Sequence, residues 1–316
     1  MIDGLGRDID YLRLSLTERC NLRCLYCMPE EGVPLVDHGD VLSIEEMFHL
    51  AWLMVEHAGI TKIRITGGEP LVRRGVVAAV TSLSALSLDE LVMTTNGLLL
   101  PEFASSLVRA GLHRVNVSLD SLRNERLRRI TRRDVSLGMI EKGIRSAVEA
   151  GLAPVKVNCV VVRGMNDDEL VDFLEWSRSM NVQVRFIEHM PTRLQGNEFV
   201  SAAEILEKLS AAGGIEEEET GQRSTDRLFR MEESGTLFGI VAPFSHDMCG
   251  RCRRLRLTAC GELVTCLSGD HRVDLKRMLR EKVDEARIVM SIRQAIEEKP
   301  AAHGGCGRVD MWKLGG

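Results

Sequence analysis

Three cysteines crowd into eight residues directly behind a short apolar stretch, and this arrangement constrains the chain more than any other part of it. Tyr11–Leu16, Tyr-Leu-Arg-Leu-Ser-Leu, reads as a strand and runs into Cys20, Cys24 and Cys27 with the spacing C-x3-C-x2-C. Three thiolates on one short loop form an incomplete cage. Each can hold one iron of a [4Fe–4S] cluster, and the fourth iron stays open to a small ligand. The loop therefore reads as a site of chemistry rather than a structural knot. A zinc knuckle would need a fourth ligand close by, and neither His nor another Cys lies within ten residues of the trio.

The 316 residues suffice for one large α/β domain or for a domain with an appendage. The formal charge of −5 argues against nucleic acid or membrane surfaces as partners. No apolar run approaches the roughly 20 residues of a membrane span, and the first residues lack a signal-peptide pattern, so the expected location is the cytoplasm. Nine cysteines there suggest metal or redox chemistry rather than disulfides. Cys159, Cys260 and Cys306 stand apart from the two cysteine groups and read as ordinary thiols.

Strand and helix signals alternate along the first two thirds. Ser43-Ile-Glu-Glu46 opens a helix to about Ala58, stopped by Gly59. Strands follow at Thr61–Thr66, Glu90–Thr95, His113–Leu119, Pro154–Val162 and Val182–Glu188, each separated from the next by a helical pattern. Six strand–helix units predict a parallel sheet with right-handed crossovers, curled as a partial (β/α)6 barrel of the TIM type. The strands read as apolar on both faces, as in a doubly covered sheet. The rhythm breaks after Pro191. A Gly- and Glu-rich stretch, Gly213–Gly221, marks a boundary, with Glu216–Glu219 as a solvated edge. The division expected is 1–212 for the barrel and 213–316 for a smaller C-terminal iron–sulfur region closing the barrel mouth. That region carries strand-like Arg227–Met231 and Thr236–Val241 and one helix over Asp274–Glu298.

The conspicuous motifs fall at successive strand ends, where loops converge in parallel α/β folds. After strand two comes Gly67-Gly-Glu-Pro70, after strand three Thr94-Thr-Asn-Gly97, then Ser118 and Met190. Cys249, Cys252 and Cys266 form a second trio, which suits another [4Fe–4S] cluster with one free iron. Zinc also fits if Cys260, His246 or His271 supplies a fourth ligand. Seven cations, Arg13, Lys62, Arg64, Lys156, Arg185, Arg254 and Arg256, lie on strands of a covered sheet, where an unpaired charge costs several kcal/mol. Pointing into one lumen, they would match a polyphosphate, with arginine forks for phosphate or a base edge.

Cys20–Cys27 with Tyr26 before the last Cys resembles the signature of the radical S-adenosylmethionine (SAM) superfamily. Together with Lys62-Ile-Arg-Ile-Thr-Gly-Gly-Glu-Pro-Leu71, Val115-Asn-Val-Ser-Leu-Asp-Ser-Leu122 and Arg254-Leu-Arg-Leu-Thr258, the chain resembles, from end to end, the GTP 3′,8-cyclase family of molybdenum-cofactor biosynthesis. The resemblance implies a lyase that turns GTP into 3′,8-cyclo-7,8-dihydroguanosine 5′-triphosphate, a 5′-deoxyadenosyl radical taking the 3′ hydrogen. It implies two [4Fe–4S] clusters, on Cys20, Cys24 and Cys27 and on Cys249, Cys252 and Cys266. SAM would be held by Tyr26, Gly68, Glu69, Ser118 and Met190. GTP would be held by Arg13, Lys62, Arg64, Thr95, Lys156, Arg185, Arg254 and Arg256, with Arg13, Arg254 and Arg256 in catalytic roles. Gly315-Gly316 matches a tail that reaches into the barrel. The partners implied are a flavodoxin- or ferredoxin-type electron donor and a downstream cyclic pyranopterin monophosphate synthase, and a homodimer is left open. Four positions depart from the family pattern: Arg132 for Gly, His189 for an aromatic, Arg253 for Asn and Cys260 for Asp. A rival enzyme, a radical SAM peptide- or protein-modifying enzyme, predicts more cysteines in the tail and no triphosphate-sized basic pocket. An iron–sulfur electron carrier or a zinc-binding module leaves the SAM loops and the strand cations unexplained.

Overall fold

The computed structural model describes residues 1–34, 36–37, 39–190, 198–219, 226–245, 248–267, 269, 271–302 and 311–314. His246, Cys306 and Gly315-Gly316 lie outside them. The expected alternation is present: β1 (Tyr11–Ser15), α1 (Ile44–Ala58), β2 (Lys62–Thr66), α2 (Val76–Ser84), β3 (Glu90–Thr95), α3 (Leu100–Arg109), β4 (Arg114–Ser118), α4 (Asn124–Thr131), α5 (Leu137–Ala150), β5 (Lys156–Val161), α6 (Leu170–Met180) and β6 (Gln183–Glu188). Local chemistry explains the first helix. The Ser43 hydroxyl accepts from Glu46 N–H while the Glu46 carboxylate takes Ser43 N–H, and Gly59 ends the helix at φ 70°.

Past α7 (Ala202–Ser210), the chain does not build a separate sheet. β7 (Ile215–Glu218), β8 (Arg227–Met231) and β9 (Leu237–Val241) extend the β6 edge. β10 (Arg254–Leu257), β11 (Glu262–Val264) and β12 (Arg272–Asp274) extend the β1 edge, giving the order β12-β11-β10-β1-β2-β3-β4-β5-β6-β9-β8-β7. β9 runs parallel to β6 and β10 parallel to β1, so the parallel part is wider than six strands, and the sheet stays open. The glutamate run belongs to edge strand β7, where Glu217 pairs with Arg227 (2.6 Å) and Glu218 with Arg230 (2.5 Å). The single C-terminal helix expected is instead β12, α8 (Leu275–Arg280) and α9 (Glu285–Glu297), broken near Lys282 at φ 55°.

The strands are not apolar on both faces. Leu12, Leu14, Ile63, Ile65, Leu91, Met93, Val115, Val117, Val157, Cys159, Val184 and Phe186 are buried on the face covered by helices. Fully burying each large aliphatic or Phe side chain stabilises the fold by about 1.5–3 kcal/mol. Residues of the opposite parity, from half-buried Arg13 and buried Arg64 to buried Asn116 and Arg185, form a largely polar face. That face is the lumen. Among the described residues no helix is long and apolar enough to cross a membrane.

Candidate active site

The first cysteine loop leaves β1 and is pinned to α4, a helix the sequence reading did not anticipate. Arg23 N–H and Leu25 N–H donate to the carbonyls of Thr131 and Ile130, both at 2.9 Å. Arg132 caps that helix at φ 51°, the left-handed region, which explains why a glycine suits the position. Leu22 N–H donates to Cys20 Sγ at 3.3 Å. Burial pushes the Cys20 thiol up to about 11 and the Cys24 thiol well above its ordinary value, with Asp120, Cys27 and Cys20 adding to the latter. Three half-buried thiols, two of which disfavour the charge of Cys24 between them, fit a group bringing positive charge of its own, as an iron–sulfur core does.

The Gly67-Gly68 loop presses directly on this one. Gly68 N–H donates to the Thr17 carbonyl at 2.6 Å and Glu69 N–H to that of Arg19 at 2.8 Å. A Cβ on Gly68 would stand 2.5 Å from the Arg19 carbonyl oxygen, so the approach needs a glycine. The buried Glu69 carboxylate accepts from Leu71 N–H (3.0 Å), Asn96 N–H (2.7 Å) and the Thr95 hydroxyl (2.8 Å). Burial nevertheless carries its pKa up to about 7. Thr95, expected among the GTP contacts, has the strand parity of Met93 and directs its hydroxyl to Glu69, whereas Thr94 has the parity of the lumen face.

Tyr26 donates its hydroxyl to Asp120 Oδ2 at 2.5 Å and meets the His189 ring edge-on, with centroids 6.2 Å apart. His189, at the aromatic position, is buried, and its Nε2 lacks a hydrogen-bond partner among the described residues. Ser118 ends β4, Met190 follows β6, and both are half-buried.

Sheet register assembles the cations. Arg13 stands level with Arg64 on one side and Arg256 on the other, and Tyr11 stands level with Lys62 and Arg254. Asn158 pairs with both Ser118 and Arg185. Tyr11 senses the result. Burial alone would raise its phenol pKa, yet Arg64, Arg13, Lys62 and Arg254 together hold it below the ordinary value. Burial, then Arg254, brings Arg256 down to about 10, and burial, then Arg64, does the same to Arg185. Glu90 pairs with Lys62 and Arg114. Asp226 lies 3.5 Å from Lys156 and 3.9 Å from Arg185. Gly239, opposite Arg185, leaves the space its side chain occupies, since a Cβ there would stand 2.9 Å from Arg185 Cγ. The Arg64 Nε is buried with no hydrogen-bond partner among the described residues. The sequence reading missed Glu90, Arg114, Asn116 and Asp226, all of which share this face by strand alternation or by their ion pairs.

The second trio lies beside β10. Burial would raise the Cys252 thiol, but Lys299 and Arg254 bring it down to about 7. Arg256 feels both Cys252 and Cys266, and its Nη1 donates to the Leu314 carbonyl at 3.2 Å, so the residues leading to the terminal glycines reach this arginine. Of the alternative zinc ligands, His271 faces Glu298 at the surface (3.8 Å), and the Cys260 thiol donates to Glu18 at 3.7 Å, ahead of the first cysteine loop. Among the described residues no three His, Cys, Asp or Glu side chains converge on a single ion. Arg253, the departure nearest the trio, turns away and pairs with Asp10 and with Asp8 (3.2 Å).

Residues 14–177 match the family described as Radical SAM superfamily, and residues 182–305 match that described as Molybdenum Cofactor Synthesis C. A GTP 3′,8-cyclase of Peptoclostridium acidaminophilum is 43% identical over 326 residues, covering 100% of this chain and 98% of the relative. That of Geobacter sulfurreducens is 45% identical, covering 96% and 94%. The chain belongs to the GTP 3′,8-cyclase family. Among solved structures, Streptococcus suis SuiB superposes with a TM-score of 0.63 at 12% identity, covering 95% of this chain and 73% of that one, a likeness of fold alone. The radical SAM match implies a [4Fe–4S] cluster and SAM.

Proposed function

We propose that this protein converts GTP to 3′,8-cyclo-7,8-dihydroguanosine 5′-triphosphate, the first step toward molybdopterin, in the cytoplasm. The observation that carries this reading is the lumen of buried and half-buried cations running from Lys156 and Arg185 through Arg64 and Arg13 to Arg256 beside the second cysteine trio. Residues 1–212 hold the first cluster and SAM, and residues 213–316 supply the second cluster on Cys249, Cys252 and Cys266. SAM and the reduced first cluster supply the radical that removes the 3′ hydrogen. Glu69 holds the SAM ammonium, and Tyr26, Gly68, Ser118 and Met190 line the rest of that cofactor. Lys62, Arg64, Lys156 and Arg185 bind the triphosphate. Arg13, Arg254 and Arg256 orient the ribose and base toward the second trio, excluding water as they do so. A flavodoxin- or ferredoxin-type donor supplies electrons, and a cyclic pyranopterin monophosphate synthase consumes the product.

Anaerobic protein incubated with dithionite, SAM and GTP should yield a nucleotide of GTP's own mass and altered retention. The hydrogen lost from C3′ is balanced by one electron and one proton taken up at the guanine ring. Release of 5′-deoxyadenosine with GTP recovered unchanged would overturn the reading.

Glu69 sets a pH dependence. Burial holds its carboxyl up at about 7 in the empty site, so below that pH it is largely neutral and must give up its proton to pair with an ammonium. SAM affinity should therefore weaken as pH falls from 7.5 to 6. Glu69→Gln should bind SAM about tenfold or more weakly at pH 7.5, with a flattened profile, since a charge-assisted hydrogen bond contributes roughly 1.5–3 kcal/mol. Calorimetry across that range checks it. An equally steep profile in the variant assigns the titration elsewhere.

A further inference from the structure

Lys299 follows α9 in the polar run Glu297-Glu-Lys-Pro300, where a lysine ordinarily reaches water, yet it is only 4% exposed. Its ammonium donates to the Arg254 carbonyl at 3.0 Å and to the Thr265 carbonyl. Those carbonyls lie two residues after Cys252 and one before Cys266, so the anchors are the start of β10 and the end of β11, next to two of the three sulfurs. The sulfurs of Cys252 and Cys266 are the neighbouring groups whose negative charge favours its ammonium. Among the described residues no carboxylate pairs with Lys299, although burying an ammonium without a counter-charge costs several kcal/mol.

Arg7 closes the assembly from the other side. It is buried and ion-paired with Asp3 at 2.6 Å. Its Nη2 donates to the carbonyls of Lys299 and Pro300, both at 3.0 Å, and its Nη1 donates to the carbonyl of Cys249 at 2.9 Å. The N-terminal segment thus fixes the backbone of Lys299 and that of the third cysteine through one guanidinium. Lys299 has no part in the lumen row of cations, whose members are aligned by the register of β1, β2 and β10.

We propose that Lys299 is a positioning residue for the second cysteine trio, serving as the fixed counter-charge of the cluster held there and setting its reduction potential. This rests on the two-cluster reading above. Three thiolates leave a four-iron cluster negatively charged, and one-electron reduction adds a further negative charge, so a fixed ammonium stabilises the reduced form more than the oxidised one. Cluster potentials respond to net charge nearby, and Lys299 supplies a fixed positive charge held by the carbonyls of Arg254 and Thr265.

The test is an EPR-monitored redox titration of the full-length Cys24→Ala protein, in which the second cluster is the one retained. Lys299→Met and Lys299→Arg are compared in that background, with iron and sulfide measured on the same samples. Lys299→Met should keep its iron and shift the midpoint to more negative potential, and Lys299→Arg should restore most of the shift. Should Lys299→Met fail to assemble a cluster that Lys299→Arg assembles normally, the need for a cation at this place is equally supported. An unchanged midpoint in a fully loaded Lys299→Met protein overturns the proposal. So does loss of the cluster from both variants with circular dichroism unchanged. Failure of the two-cluster reading is read separately, from about four irons, or zinc, in the protein with Cys24 and Lys299 both intact.

Discussion

Replacing Cys24 with Ala should abolish 5′-deoxyadenosine formation and remove about half of roughly eight irons per chain, the content of two four-iron clusters. Cys24 is a thiol of the first trio held well above its ordinary pKa, with burial, Asp120, Cys27 and Cys20 all opposing its thiolate. Such a group is tolerated in a native site when iron takes its charge, and two remaining thiolates cannot hold a cluster that leaves a single iron open. The fold should survive. The loop is held by backbone bonds from Arg23 and Leu25 to α4 and from Glu69 and Gly68 to residues 17–19, none of which uses the Cys24 side chain. Iron and sulfide analysis of the anaerobic variant, together with chromatography of a dithionite–SAM reaction, decides the matter. Cys252→Ala should instead lose the other half of the iron while retaining some SAM cleavage. Full iron content in Cys24→Ala, or undiminished cleavage, would remove the first trio from the chemistry.

The strand–helix alternation and both cysteine trios were legible because each rests on local pattern. Gly59, the Ser43–Glu46 cap and the β-branched strands act within a few residues of themselves. α4 escaped notice because Asn124–Thr131 is almost wholly polar, with Leu127 and Ile130 as its buried aliphatic residues. The polar face of the sheet was read only in part. Arg13 and Lys62 stood out as cations, but Asn116 is an ordinary polar residue until register sets it level with Lys156. In Met93-Thr94-Thr95 the hydroxyls of two adjacent threonines leave the strand on opposite faces, and sequence alone does not say which faces the lumen. Glu90, Asp226, Arg7 and Lys299 act through partners on distant segments, and no short-range signal could have found them. The breaks at Lys282 and Asp284 were missed because an amphipathic pattern continues across them.

Arg256→Ala should keep both clusters and SAM binding while GTP affinity falls by about ten- to a hundredfold and product is lost. Arg256 is buried, stands level with Arg13 in the parallel register, and feels Arg254, Cys252, Tyr11 and Cys266. Its one protein hydrogen bond among the described residues is Nη1 to the Leu314 carbonyl, so most of its donors remain for a ligand. Burial and the neighbouring arginine bring its pKa down to about 10, which still leaves it charged at neutral pH. A buried cation beside other cations opposes folding by itself. Removing it should therefore not destabilise the empty protein, and an unchanged or raised melting temperature is expected. The loss should appear in binding, where a charge-assisted contact to phosphate or base contributes roughly 1.5–3 kcal/mol. Calorimetry with GTP, with iron counted and melting followed on the same sample, separates the outcomes. If the variant sheds its second cluster or unfolds while GTP still binds normally, Arg256 supports the trio rather than the nucleotide, and the row from Arg64 through Arg13 ends one strand short of β10.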